Sequence, residues 1–137
     1  MINDQIDNLK GHGIDRCIGI SSELNQIERT QAQKLIGNGQ YLFCYAAPER
    51  LQMESFRNAL RSLTAYSPIS VIAIDEAHCV SEWGHSFRTS YLNLGRNCRE
   101  FCTTRGEAHP PLLALTGTAS KIVLKDVRRE LNINQFD

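Results

Sequence analysis

The chain has 137 residues, with 15 basic and 15 acidic side chains and a formal net charge of zero. That length suits one domain with a buried core, and the charge balance excludes a uniformly basic surface while leaving room for a local basic strip along a nucleic acid. No run of 18 apolar residues occurs, and the N-terminal MINDQIDNLKGHG lacks the basic-then-apolar order of a signal peptide, so no membrane partner is expected and an intracellular location is the default.

In chain order, residues 2–11 read as a helix and RCIGIS (16–21) as a strand. ELNQIERTQAQKLIGNG reads as a second helix, closed by Gly37 and Gly39. YLFCYA (41–46) is a second strand, and PERLQMESFRNALRSLT (48–64) a third helix with Pro48 in its favoured first turn. VIAID (71–75) and PLLALT (111–116) are further strands, flanking a fourth helix within 88–106 and the polar loop TTRGEAHPP. A fifth helix falls within 118–133, with Thr118 a candidate N-cap. The last three strands are almost continuously apolar, as strands covered on both faces are. Strands alternating with helices predict an α/β fold, a parallel sheet with helices on both faces.

The five cysteines are Cys17, Cys44, Cys79, Cys98 and Cys102. An odd count in a chain of this size predicts reduced thiols rather than a disulfide framework. Cys98, Cys102 and His109 are too loosely spaced for a zinc site and have no obvious fourth ligand.

The unusual stretch is VIAIDEAHCVSEWGHSF, residues 71–87. An apolar strand runs directly into Asp75 and Glu76, where Gly, Asn or Pro is the usual punctuation. Ligands of open α/β sheets sit beyond the carboxyl ends of strands. Two adjacent carboxylates there, repelling each other and partly desolvated, are better tolerated beside a cation. An Asp in that position suits Mg²⁺ held through waters, and the next acid suits orienting or deprotonating a water. The same pair equally suits the first turn of a helix, where the helix dipole favours acids.

Asp75-Glu76-Ala77-His78 resembles motif II of superfamily 2 helicases. The longer DEAHCVSEWGHSFRTSY is similar to the RecQ helicase family, in which motif II runs into an aromatic-rich loop of the form SQWGHDFRPEY. MINDQIDNLKGHGI resembles the helix after motif Ia, LFCYAAPERL resembles motif Ib, and LALTGTAS resembles motif III, all in the family's order. The resemblance covers nearly the whole chain. It implies a truncated RecA-like fold over residues 1–137, from after motif Ia through motif III, within an ATP-dependent DNA helicase working 3′ to 5′.

By that resemblance ATP and Mg²⁺ are the cofactors. Asp75 engages Mg²⁺–ATP, Glu76 activates the attacking water, and His78 links the nucleotide site to neighbouring motifs. Thr116, Gly117, Thr118 and Ala119 couple hydrolysis to DNA movement, with Gly117 standing where the family commonly has Ala. Trp83, His85, Phe87 and Arg88 contact single-stranded DNA, and stacking suits that task because every base offers a π-face. Pro48, Glu49 and Arg50 lie along the DNA strand. Arg50 at a helix start opposes the dipole, which a phosphate contact or an ion pair with a neighbouring carboxylate would explain equally well.

No phosphate loop, G-x-x-x-x-G-K-[ST], occurs in the 137 residues. The expectation is a partial first motor domain inactive by itself, whose parent acts on single-stranded and partly duplex DNA. An unpaired edge beside PLLALT is expected to favour self-association. A different class of protein, a non-catalytic interaction module on a helicase scaffold, fits the same missing loop. A related RNA motor fits less well, because EWGHSFR resembles the DNA-directed family.

Overall fold

The computed structural model describes residues 2–21, 24–83 and 86–133. It divides into two compact units, Met1–Ser67 and Pro68–Asp137, each an α/β arrangement built on a pair of parallel strands.

The first unit contains α1 (Ile2–Gly11), β1 (Cys17–Ile20), α2 (Gln26–Gly37), β2 (Phe43–Ala46), a 3-10 turn (Pro48–Gln52) and α3 (Glu54–Thr64). β1 and β2 pair in register from Cys17–Phe43 to Ile20–Ala46, and α2 is the crossover that parallel pairing requires. A reciprocal capping box starts α2: Asn25 Oδ1 accepts from the amides of Ile27 and Glu28, and Glu28 Oε2 accepts from the amide of Asn25, all at 2.9 Å. Ala32 and Ile36 of α2 and Phe56, Ala59 and Leu60 of α3 are buried, and the two helices pack together.

The second unit contains β3 (Ile72–Ile74), 3-10 turns at Ala77–Val80 and Thr89–Tyr91, α4 (Leu94–Cys102), β4 (Leu112–Ala114) and α5 (Lys121–Leu131). β3 and β4 pair from Ile72–Leu112 to Ile74–Ala114. Val123, Val127 and Leu131 form the buried stripe of α5, each worth about 1.5–3 kcal/mol of hydrophobic stabilisation. α5 packs on α4 and on the Ala77–Val80 turn. The α4 contact depends on Gly95, where a Cβ would stand 2.9 Å from Glu130 O and 3.0 Å from Leu131 Cα.

Several expectations need correction. The single helix over 48–64 is two pieces, broken at Met53 with φ −94° and ψ 123°. The break is held from both sides, because Arg50 Nη1 contacts Met53 Sδ at 3.1 Å and Arg57 Nε donates to Leu51 O at 2.6 Å. Ser120, not Thr118, caps α5, with Ser120 Oγ accepting from Val123 N at 3.3 Å. The apolar strands are not covered on both faces: Phe43, Cys44 and Ala46 of β2 and Leu113 of β4 are exposed. In the first unit α1 and α2 both lie against β1, which buries Cys17 and Ile20 and leaves much of β2 open. The described strands are all parallel, as expected, and are hydrogen-bonded as two pairs, β1 with β2 and β3 with β4. Other expectations are met. Gly11 and Gly37 end α1 and α2, the polar loop 103–111 separates α4 from β4, and the five cysteines are free thiols.

Candidate functional site

The site is assembled at the carboxyl ends of β3 and β4. β3 stops at Ile74, and Asp75 Oδ1 accepts the amide of Glu76 at 2.8 Å. That local bond draws the chain out of the strand. Glu76 is left-handed, with φ 50° and ψ 42°, an uncommon conformation for a residue with a Cβ. The chain then enters the Ala77–Val80 turn, which has no acid in it, so a helix first turn is not what places the two carboxylates. Both acids are exposed, which also removes the desolvation anticipated for them.

The second strand pins this turn. Leu115 N donates to Ile74 O and Ala77 N to Leu115 O, each at 2.9 Å. Tyr91 Oη donates to Asp75 O at 3.1 Å from the opposite direction in sequence. His78 Nδ1 lies 3.2 Å from Glu76 Oε2 and 2.9 Å from Thr116 Oγ1. Nδ1 donates to Thr116 Oγ1, with the Glu76 carboxylate at ion-pair distance from the same nitrogen. Thr116 Oγ1 is then free to donate to Thr118 O at 3.2 Å. Asp75, Glu76, His78, Thr116 and Thr118 are therefore one connected group, with Gly117 exposed and Ala119 half-buried in the same segment.

The Ala77–Val80 turn leads to the aromatic segment. Trp83 is 78% exposed, Phe87 is half-buried and Arg88 is exposed. The Arg88 amide donates to Cys79 O at 3.0 Å, which closes the segment back onto the turn. His85 lies outside the described residues. The candidates of the first unit are placed differently. Pro48 begins a 3-10 turn, Glu49 is exposed and Arg50 is buried. Arg50 Nη2 donates to Ser21 O at 2.9 Å, so the arginine's placement is explained by a backbone carbonyl rather than an ion pair. Burial and the nearby charge of Arg29 lower its pKa. Among the described residues no cluster of three or more metal-ligating side chains occurs, and Cys98, Cys102 and His109 form no metal site.

Two features escaped the sequence reading. Tyr91 lies at the end of DEAHCVSEWGHSFRTSY, and its type alone does not announce the bond to Asp75 O. Ser81, fully buried, donates to Asp126 Oδ2 at 2.7 Å, 45 positions away. The signal for the second was present: Asp126 is an acid lying in the Val123–Val127–Leu131 stripe of an otherwise basic helix start.

The DEAD/DEAH box helicase model matches residues 1–127, and the chain belongs to that family. It is 41% identical to the probable ATP-dependent DNA helicase RecS of Bacillus subtilis, over 97% of this chain and 24% of the relative. It is 37% identical to the ATP-dependent DNA helicase RecQ of Haemophilus influenzae, over 99% of this chain and 20% of the relative. It is 34% identical to the mouse ATP-dependent DNA helicase Q5, over 98% of this chain and 13% of the relative. The chain thus spans a quarter or less of the length of these curated relatives.

Proposed function

We propose that these residues are the part of a RecQ-type, ATP-dependent, 3′-to-5′ DNA helicase motor in which the nucleotide's metal and water meet the DNA-sensing loop. The observation that supports this most is the His78–Thr116 hydrogen bond beside the Glu76 carboxylate, which joins the acid turn after β3 to the segment after β4. Intracellular action on single-stranded and partly duplex DNA follows from the same reading, as does assignment of the chain to a partial first motor domain.

The residues suit Mg²⁺–ATP. Asp75 is an exposed hard-oxygen donor with one oxygen oriented by a backbone amide, which fits an ion held through retained waters and substrate phosphates. When bound, Mg²⁺ offsets charge on the phosphate oxygens. Glu76 is the proton acceptor for the attacking water, and its exposed carboxylate stands 3.2 Å from His78 Nδ1. Thr116 fixes the His78 ring, so a shift of residues 116–119 reaches Glu76 through one side chain. Trp83, His85, Phe87 and Arg88 provide stacking and cationic contacts to a single strand. Pro48 and Glu49 are, by their likeness to motif Ib, proposed DNA contacts of the first unit, and Arg50 supports their turn from inside.

The test has two arms. In the whole helicase, Glu76→Gln is expected to lower DNA-stimulated ATP hydrolysis by about 10²–10⁴-fold; unchanged turnover overturns the assignment. The 137-residue chain, which contains no phosphate loop, is expected to show no hydrolysis above its Glu76→Gln control. Turnover above that control overturns this part of the reading.

A further inference from the structure

We propose that Asp126 and Ser81 are positioning residues that clamp the base of the Trp83 loop to α5. The proposal rests on the reading of that loop as the DNA-contacting element. It adds a connection from α5 that no helicase motif named above includes.

Ser81 is the buried residue at the base of the exposed segment. It is 0% exposed, it follows the Ala77–Val80 turn in extended conformation, and Trp83, two residues on, is 78% exposed. Its hydroxyl donates to Asp126 Oδ2 at 2.7 Å, while Asp126 Oδ1 receives Arg129 Nη2 at 3.1 Å. Asp126 is itself only 5% exposed. Glu82 is near enough to raise the pKa of Arg129, behind the larger effects of Glu130 and Asp126. Ser81 is therefore bonded to an acid that is itself paired with an arginine on α5.

A buried carboxylate is a costly way to join a helix to a turn. An apolar pair of similar volume often stabilises as well or better. What the charged hydrogen bond adds is a fixed direction and register, because a 2.7 Å bond does not tolerate sliding as apolar packing does. The start of α5 adjoins the candidate site. Its N-cap, Ser120, directly follows residues 116–119, whose Thr116 holds His78. One helix thus carries the Thr116 segment at its start and the loop clamp one and a half turns further on. Motion of either end is transmitted along a rigid element, in parallel with the short path through His78.

Trp83 is the chain's single tryptophan, so its fluorescence reads the loop alone. The measurements are fluorescence anisotropy of Trp83, and binding of a fluorescein-labelled oligothymidylate, by the 137-residue chain. Because Trp83 is already 78% exposed, its rotational freedom rather than its accessibility reports the clamp. Ser81→Ala is expected to lower the anisotropy and to weaken oligothymidylate binding about fivefold, the size of one lost hydrogen bond. Asp126→Asn keeps an acceptor for Ser81 but loses the charge, and is expected to fall between wild type and Ser81→Ala in both. Thr64→Val loses a buried hydrogen bond in the first unit and serves as the control for general loosening. Unchanged anisotropy in folded Ser81→Ala, or an equal fall in Thr64→Val, overturns the clamp. Failure of Trp83→Ala to weaken oligothymidylate binding overturns the DNA reading instead, and the anisotropy comparison judges the clamp independently of DNA.

Discussion

His78 Nδ1 donates to Thr116 Oγ1 across 38 positions of sequence, joining the ends of two adjacent parallel strands. Replacing Thr116 with valine keeps the shape and removes both the acceptor for His78 and the donor to Thr118 O. The expected cost is about 1 kcal/mol of stability in denaturant unfolding. In the whole helicase the same change should reduce DNA-stimulated hydrolysis more than unstimulated hydrolysis. Equal loss of both would assign Thr116 a purely structural role.

Two glycines should respond oppositely to alanine. At Gly95 the new Cβ meets the backbone of Glu130 and Leu131, which cannot swing aside. Gly95→Ala is expected to destabilise by about 1–3 kcal/mol through forced separation of α4 and α5. At Gly117 the Cβ meets nothing within 4 Å, and the backbone is not in the left-handed region. Gly117→Ala is expected to stabilise by about 0.4–1 kcal/mol by restricting the unfolded chain. Thermal melts of the two variants decide both, and a destabilised Gly117→Ala would mean that the segment needs glycine's freedom.

Alkaline pH should weaken the second unit. Burial pushes the Cys98 thiol from 9.0 up to about 11, and Cys79 moves in the same direction for the same reason. Below pH 9 the thiol is protonated in both folded and unfolded chains, and its contribution to stability is complete. As pH climbs from 9 to 11 the unfolded chain gives up the proton first, so stability is lost across that window. The loss attributable to Cys98 is about 2–3 kcal/mol. Unfolding at about pH 8 and about pH 10, compared with Cys98→Ala, measures it. The alanine variant should show the shallower decline, and parallel slopes would exclude Cys98 as the cause.

Association is expected at the second sheet. Among the described residues β4 pairs only with β3, and Leu113 and Leu115 are 50% and 45% exposed. An open edge with apolar side chains invites strand pairing or face-to-face contact. Light scattering should show mass rising with concentration, with Leu113→Lys reducing the rise. A monodisperse monomer at high concentration would refute this.

The strands were legible because their apolar runs are short and bounded, and the observed ones fall inside the anticipated spans. Helix boundaries were less so. Nothing in PERLQMESF announces that Met53 turns extended, because that break depends on Arg50 and Arg57 bonding into it from either side. Thr118 and Ser120 are both acceptable caps by type, and only the chain's path after β4 selects Ser120. The acid pair and His78 were legible as a motif, but the Tyr91 and Ser81–Asp126 bonds were not, because they are long-range and polar. Exposure was the weakest inference. Apolar strand residues such as Phe43 and Leu113 were expected inside and are outside, because a strand's composition does not state which faces are covered.

The left-handed turn at Glu76 sets stability and chemistry against each other. Glycine or asparagine would occupy that backbone more comfortably, by roughly 1 kcal/mol. Any search that ranks variants by thermal resistance alone should therefore recover Glu76→Gly and Glu76→Asn among its winners. Those same variants would have lost the carboxylate proposed above as the proton acceptor. A thermostabilised form of this motor should accordingly be sought with position 76 held fixed.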